Sequence, residues 1–191
     1  MEVGLFFGSF NPVHIGHMII ANHLAQFTDL EEIWMVLSPQ NPLKHKASLA
    51  NNNDRYHLLQ LAIGSNPLIK ASNIEFKLPV PSFTVDTLAY LKEKFPIHTF
   101  SLIMGEDNLE TIEKWKNYEF LLANYTIYLY PRPGYQAAHK YLDLPTIIKV
   151  DAPKLEISAT SIRSMIKEDK SVQYLVPDDV YIYLKQSPMY R

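Results

Sequence analysis

Hydrophobic positions along this chain fall into two patterns, short unbroken runs and longer stretches with a three-to-four-residue repeat. Val3-Gly4-Leu5-Phe6-Phe7 is a continuous run and predicts a buried first strand. Ile20, Leu24 and Phe27 then recur at helical spacing and predict a helix facing the core. Ile33 to Leu37 predicts a second buried strand, and Ser38 to Asn53 reads as a long loop with little periodicity. Asp54 is placed to cap a helix carrying Leu58, Leu61 and Ala62 inward. Ile69 to Leu78 reads as a strand, and the stretch after Pro81 to Thr84 as a helix with Leu88, Leu91 and Phe95 on its inner face.

The same alternation continues. Thr99 to Met104 predicts a strand ending at Gly105, followed by short helical pieces to Leu122 and a strand from Tyr125 to Tyr130. Pro131-Arg132-Pro133-Gly134 breaks that strand, and Ile147 to Val150 forms the last clear one. Ile162, Met165 and Ile166 mark one further helix, and Val180, Tyr183 and Leu184 a final short one. Strands alternating with helices predict an α/β fold with a doubly wound, mostly parallel sheet. The expectation is a single domain over residues 1–191, with a small helical portion at about 158–191.

Composition narrows the chemistry. Hydrophobic residues make up 47% and charged residues 20%, as in ordinary soluble globular proteins. A formal net charge of −2 argues against a broad nucleic-acid surface. The chain has no cysteine, which excludes disulfides, thiolate catalysis and cysteine-based zinc sites. No apolar run approaches the ~18 residues of a membrane span, and no signal-peptide pattern precedes the first strand. A cytoplasmic protein is the expectation, with a homo-oligomer left open.

Gly8-Ser9-Phe10-Asn11-Pro12-Val13-His14-Ile15-Gly16-His17 lies between the first strand and the first helix. A small-residue turn there brings main-chain N–H groups, at Ser9 and Phe10 for instance, and a helix N-terminus to one point, which favours anions. His14 and His17, three residues apart, add donors for a phosphate chain. Zinc is the weaker alternative, since the pair lacks the glutamate of H-E-x-x-H and an obvious third ligand. Ser158, Thr160 and Ser161 supply cap-forming hydroxyls before another helix, and Arg163 adds a fork suited to phosphate.

The first of these segments resembles the G-[ST]-F-[DN]-P-x-H-x-G-H signature of the nucleotidyltransferase superfamily. Ile157 to Arg163 is similar to that superfamily's I-S-[SA]-[ST]-x-[IL]-R. Pro81 to Leu88, Gly105 to Asp107 with Trp115, Arg132 to Tyr135 and Tyr174 to Pro177 resemble segments of its bacterial nicotinate-mononucleotide adenylyltransferases. The phosphopantetheine branch fits these middle segments poorly. Asn11 stands where the common bacterial form has aspartate, and Leu43-Lys44 where it has two prolines.

The resemblance implies a Rossmann-like nucleotidyltransferase fold and adenylyl transfer from ATP, with Mg²⁺, to nicotinate mononucleotide. It implies catalytic roles for His14, His17 and Arg163. Gly8, Ser9, Phe10, Gly16, Gly105, Asp107, Arg132, Ser158, Thr160 and Ser161 would serve ATP and its phosphates. Trp115 would stack on the pyridine, with Asn41, Lys44, Thr84 and Tyr118 beside it. Nicotinamide mononucleotide or another phosphate monoester, such as phosphopantetheine, is the alternative acceptor. A non-catalytic ATP- or NAD-sensing module is the alternative of another class.

Overall fold

Strand β1 (Glu2–Gly8) is apolar on both faces because it lies between neighbours and under helices on each side. A computed structural model describes residues 1–40, 49–135 and 140–191. Its further strands are β2 (Glu32–Leu37), β3 (Ile69–Ser72), β4 (Thr99–Gly105), β5 (Ile127–Tyr130) and β6 (Ile147–Lys149). They form one sheet in the order β3-β2-β1-β4-β5-β6, with every neighbouring pair parallel. The order reverses between β1 and β4, and in doubly wound sheets ligands bind beyond the strand ends at such a reversal. Gly8 pairs with Leu37 and Gly105 with Tyr130, so the carboxyl ends of these four strands finish together.

The helices α1 (Ile15–Phe27), α2 (Asn52–Ile63), α6 (Ala159–Lys167) and α7 (Asp178–Gln186) cover one face. Their Ile20, Leu24, Leu58, Ile162 and Leu184 pack on Phe6, Ile33 and Met35 of the sheet. The helices α3 (Thr84–Lys94) and α5 (Tyr118–Asn124) pack on the other face, against Leu5, Leu102 and Leu129. The short α4 (Glu106–Leu109) follows β4 directly, and single 3-10 turns occupy Ile74–Lys77 and Ile112–Lys114. This is the doubly wound arrangement expected from the alternating pattern.

Three local expectations are corrected. Phe27 ends α1 beyond the packed stripe and is 74% exposed, its ring lying 4.6 Å from that of His23. The cap of α2 is Asn51, whose Oδ1 accepts from the Asn53 N–H at 2.8 Å; Asp54 sits in the first turn, where its charge suits the helix dipole. The run from Ile69 to Leu78 is only half strand. Asn73 leaves extended geometry, and the following turn buries both Ile74 and Glu75. The Glu75 carboxylate accepts from Ser82 Oγ and Thr87 Oγ1, each at 2.7 Å, and so ties the end of β3 to the start of α3.

Helix α2 also turns its charged residue inward. Leu58 and Leu59 are fully buried while Leu61 and Ala62 are half-buried, and Arg55 shares the inner stripe at zero exposure. Its Nε donates to Ala50 O at 3.0 Å, and its Nη atoms to the carbonyls of Ser9, Ser38 (3.1 Å) and Pro39 (3.2 Å). Asn52 Oδ1 accepts at 2.6 Å. These bonds hold the end of β2, the segment entering α2 and the turn after β1 as one unit. Truncating Arg55 to alanine would strip a charged donor from four main-chain carbonyls, one of them on buried Pro39, and cost about 3 kcal/mol. Urea unfolding of Arg55→Ala measures this, and a loss below about 1 kcal/mol would show that the loop stems hold without it.

Candidate active site

The turn after β1 owes its shape to Gly8 and Phe10. A Cβ on Gly8 would stand 2.8 Å from the Phe10 ring, which folds back over it with Phe10 at φ +41°. The chain then runs through buried Asn11 and Val13 to His14, the cap of α1. His17 lies one turn on, and the two imidazoles stack with centroids 3.6 Å apart. His17 Nδ1 accepts from the His14 main-chain N–H at 3.2 Å. That bond assigns the neutral His17 proton to Nε2, which makes Nε2 a donor. Phe10 packs edge-on against the His17 ring at 5.1 Å and holds its plane.

His14 is only 5% exposed, and its Nδ1 is buried above the His17 N–H without a well-formed hydrogen bond among the described residues. Burial, with the nearby Arg132 charge, pushes its pKa from 6.5 down to about 4. The ring is therefore neutral at neutral pH. Gly16 lets this ring lie flat across the first turn, since a Cβ there would stand 3.1 Å from His14 Nδ1.

The second motif meets the first in space. Ser158 caps α6, its Oγ accepting from the Ser161 N–H at 3.1 Å. Arg163 Nη1 donates to the main-chain oxygen of Asn11 at 2.8 Å, across 152 positions of sequence, and Nη2 to Thr160 Oγ1 at 3.3 Å. Asn11 Oδ1 accepts from the Ala50 N–H at 3.1 Å. Thr160 thus supports the arginine, and Ser161 stands exposed at the helix entrance.

Gly105 and Arg132 complete this side at the ends of β4 and β5. The Arg132 N–H donates to Glu106 Oε2 at 3.1 Å, and its Nε lies 3.5 Å from Asp107 Oδ1. A Cβ on Gly105 would collide with the Asp107 carboxylate and come 2.9 Å from Arg132 Cγ. A narrow cleft lies here, walled by His14, Gly16, His17, Arg132 and Ile157.

A larger cleft of about 150 Å³ opens on the other side of the turn, walled by Gly8, Ser9, Phe83, Thr84 and Trp115. The turn after β1 is thus the partition between two clefts. Thr84 begins α3 at its wall. The Trp115 Nε1 is buried with no hydrogen-bond partner among the described residues. Lys116 pairs with Asp86 at 2.8 Å and lies over the Phe83 ring at 5.1 Å. Tyr118 begins α5 and is not part of that wall; its ring faces Tyr141 at 6.4 Å. Asn41 and Lys44 lie outside the described residues.

Two residues that build the site escape the motifs. Arg55 carries the signal of an arginine three and four residues before Leu58 and Leu59, on the apolar stripe. Glu75 also lines the larger cleft. Its only trace in the sequence is an acid inside an otherwise strand-like apolar run.

A doubly wound sheet with two clefts meeting at a histidine-bearing turn is the arrangement that the resemblance to nucleotidyltransferases implies, and the chain's relatives place it in that class. The sequence model of the cytidylyltransferase-like family matches residues 5–165. A relative from Flavobacterium johnsoniae, described as a "probable nicotinate-nucleotide adenylyltransferase", is 52% identical over 100% of both chains. A Cytophaga hutchinsonii relative of the same description is 52% identical over 94% of this chain and 93% of its own. The chain belongs to the nicotinate-nucleotide adenylyltransferase family within the cytidylyltransferase-like proteins. The fold agrees with the Plasmodium falciparum nicotinic acid mononucleotide adenylyltransferase complexed with NaAD, at TM-score 0.85 and 20% identity, covering 99% of this chain and 97% of that one.

The depressed His14 pKa makes a stability prediction. Between pH 6.5 and about 4 the unfolded chain takes up a proton at His14 that the folded chain refuses. Its contribution is therefore complete above pH 6.5 and is lost as pH falls toward 4, at a cost on the order of 3 kcal/mol. Urea midpoints across this range should fall less steeply for His14→Asn than for the parent. Equal slopes would remove His14 as the source.

Proposed function

We propose that this protein transfers the adenylyl group of ATP to nicotinate mononucleotide, giving nicotinate adenine dinucleotide and pyrophosphate. The observation that carries the reading is the hydrogen bond from Arg163 to Asn11, which joins the second motif to the histidine turn between the two clefts. The family membership of the chain supports an enzyme over a non-catalytic sensor.

In this reading an oxygen of the mononucleotide phosphate attacks the α-phosphorus of ATP. A new P–O bond forms, and the bond to the bridging β-phosphate oxygen breaks, leaving pyrophosphate. The nucleophile is already an anion, so no base is needed to deprotonate it. Catalysis is positioning and charge stabilisation. ATP occupies the histidine and Arg132 side, with Gly105 and Asp107 at its nucleoside end. The pyridine nucleotide occupies the larger cleft, its ring against Trp115 and its carboxylate toward the main-chain N–H groups near Thr84.

The His17 Nε2–H and the Ser9 and Phe10 N–H groups meet the transferring phosphate. Neutral His14 contributes by hydrogen bonding rather than as a cation. Ser161 and Arg163 hold the β and γ phosphates, where a guanidinium fork matches phosphate oxygens. The donors around the turn are N–H groups, imidazoles and a guanidinium, which suit phosphate oxygens more than a metal cage. Mg²⁺ arriving with ATP would keep phosphate and water ligands, and it would neutralise charge on the leaving pyrophosphate.

His17→Ala should lower kcat by roughly 10²- to 10³-fold while the fold persists, as measured by pyrophosphate release and circular dichroism. Near-parental turnover would overturn the mechanism. With the parent enzyme, kcat/KM for nicotinate mononucleotide should exceed that for nicotinamide mononucleotide by about tenfold or more, the scale of one charged hydrogen bond. Equal or reversed preference would reassign the acceptor. No release with any mononucleotide would restore the sensor.

A further inference from the structure

The segment after α7 returns to the phosphate turn. Met189 and Tyr190 pack on the core cluster beneath α2, α6 and α7. The Tyr190 hydroxyl donates to Asn11 Oδ1 at 2.8 Å. That oxygen also accepts from the Ala50 N–H at 3.1 Å, so both its lone pairs are engaged. The main-chain oxygen of the same residue accepts from Arg163 Nη1 at 2.8 Å. Asn11 is therefore held from three directions, and one of its holders is the arginine assigned to the β and γ phosphates.

Two backbone outliers sit on this contact. Tyr190 lies at φ +68° and Phe10, next to Asn11, at φ +41°, a region that side chains with a Cβ seldom occupy. Such strained residues persist where the surroundings over-determine them, and they gather at binding sites. Burial also pushes the Tyr190 pKa up, which keeps the phenol protonated and available as a donor.

We infer that Tyr190 is a positioning residue for ATP: its hydroxyl fixes Asn11, and Asn11 in turn fixes Arg163 for the β and γ phosphates. The inference rests on the adenylyl-transfer reading above. It also gives Asn11 a task that needs no charge. An amide oxygen accepts from a phenol and a main-chain N–H as well as a carboxylate would, without adding a second anion where phosphates bind.

Tyr190→Phe keeps the ring and removes only the hydroxyl, so it separates positioning from packing. The probe is an ATP analogue with a methylene group in place of the α,β-bridging oxygen, titrated by calorimetry. The variant should bind it roughly fivefold more weakly, the scale of one neutral hydrogen bond, and kcat/KM for ATP should fall by a similar factor. KM for the mononucleotide should not change. In an Arg163→Ala background the same substitution should change analogue affinity less than twofold, because contacts in one network are not additive.

Parental affinity in Tyr190→Phe, or an equal loss with and without Arg163, would overturn the inference. So would a parallel loss of affinity for both substrates with a lowered melting temperature, which marks a merely structural tyrosine. A parent that binds the analogue but releases no pyrophosphate would defeat the proposed reaction, while the binding cycle would still decide the role of Tyr190.

Discussion

The Arg55 guanidinium, buried to zero exposure, donates to the carbonyls of Ser9, Ser38, Pro39 and Ala50 and to the amide oxygen of Asn52. Burial works against its charge, and oriented carbonyl dipoles are what compensate it. The geometry is planar and multidentate, which a lysine ammonium on a flexible stem does not reproduce. Through it the position of the turn after β1 is tied to β2 and to the entrance of α2. The histidine turn is therefore not a loose loop on a sheet edge. It is fastened from below by a buried cation.

On that footing the sheet order does the rest. Because the chain leaves β1 toward α1 on one face of the sheet and leaves β4 toward α5 on the other, room remains on both sides of the turn, and one cleft forms on each. The side chains facing them differ. Stacked imidazoles and Arg132 line the narrow cleft, and aromatic rings with a buried indole N–H line the larger one. In the proposed reading two reactants of different character would meet at this shared wall, which is the arrangement a direct group transfer requires.

Much of this was legible in the sequence, for identifiable reasons. The runs at Val3–Phe7 and Thr99–Met104 announce central strands because a strand covered on both faces has no polar side to show. Ser158 announces its cap because hydroxyls before an amphipathic turn have few other uses. Arg55 and Glu75 were not legible as site residues. Their importance lies in bonds to other segments, carbonyls that accept from Arg55 and hydroxyls that donate to Glu75, and such partners leave no local period. Phe27 continues the helical stripe at the last residue of α1 yet stands exposed, which spacing alone cannot reveal. Asn51 and Asp54 are both good helix-start residues three apart, and only the hydrogen bond to Asn53 separates them.

The bond between Arg163 and Asn11 spans most of the chain. A ribosome presents the histidine turn early and the arginine late, so under the proposed reading a growing chain would hold half a phosphate site for much of its synthesis. Nucleotide affinity would then be a signature of completed folding rather than of the first formed α/β units. Ligand stabilises only the state that it binds, so cellular ATP would selectively shelter finished molecules from proteolysis and leave partial ones exposed.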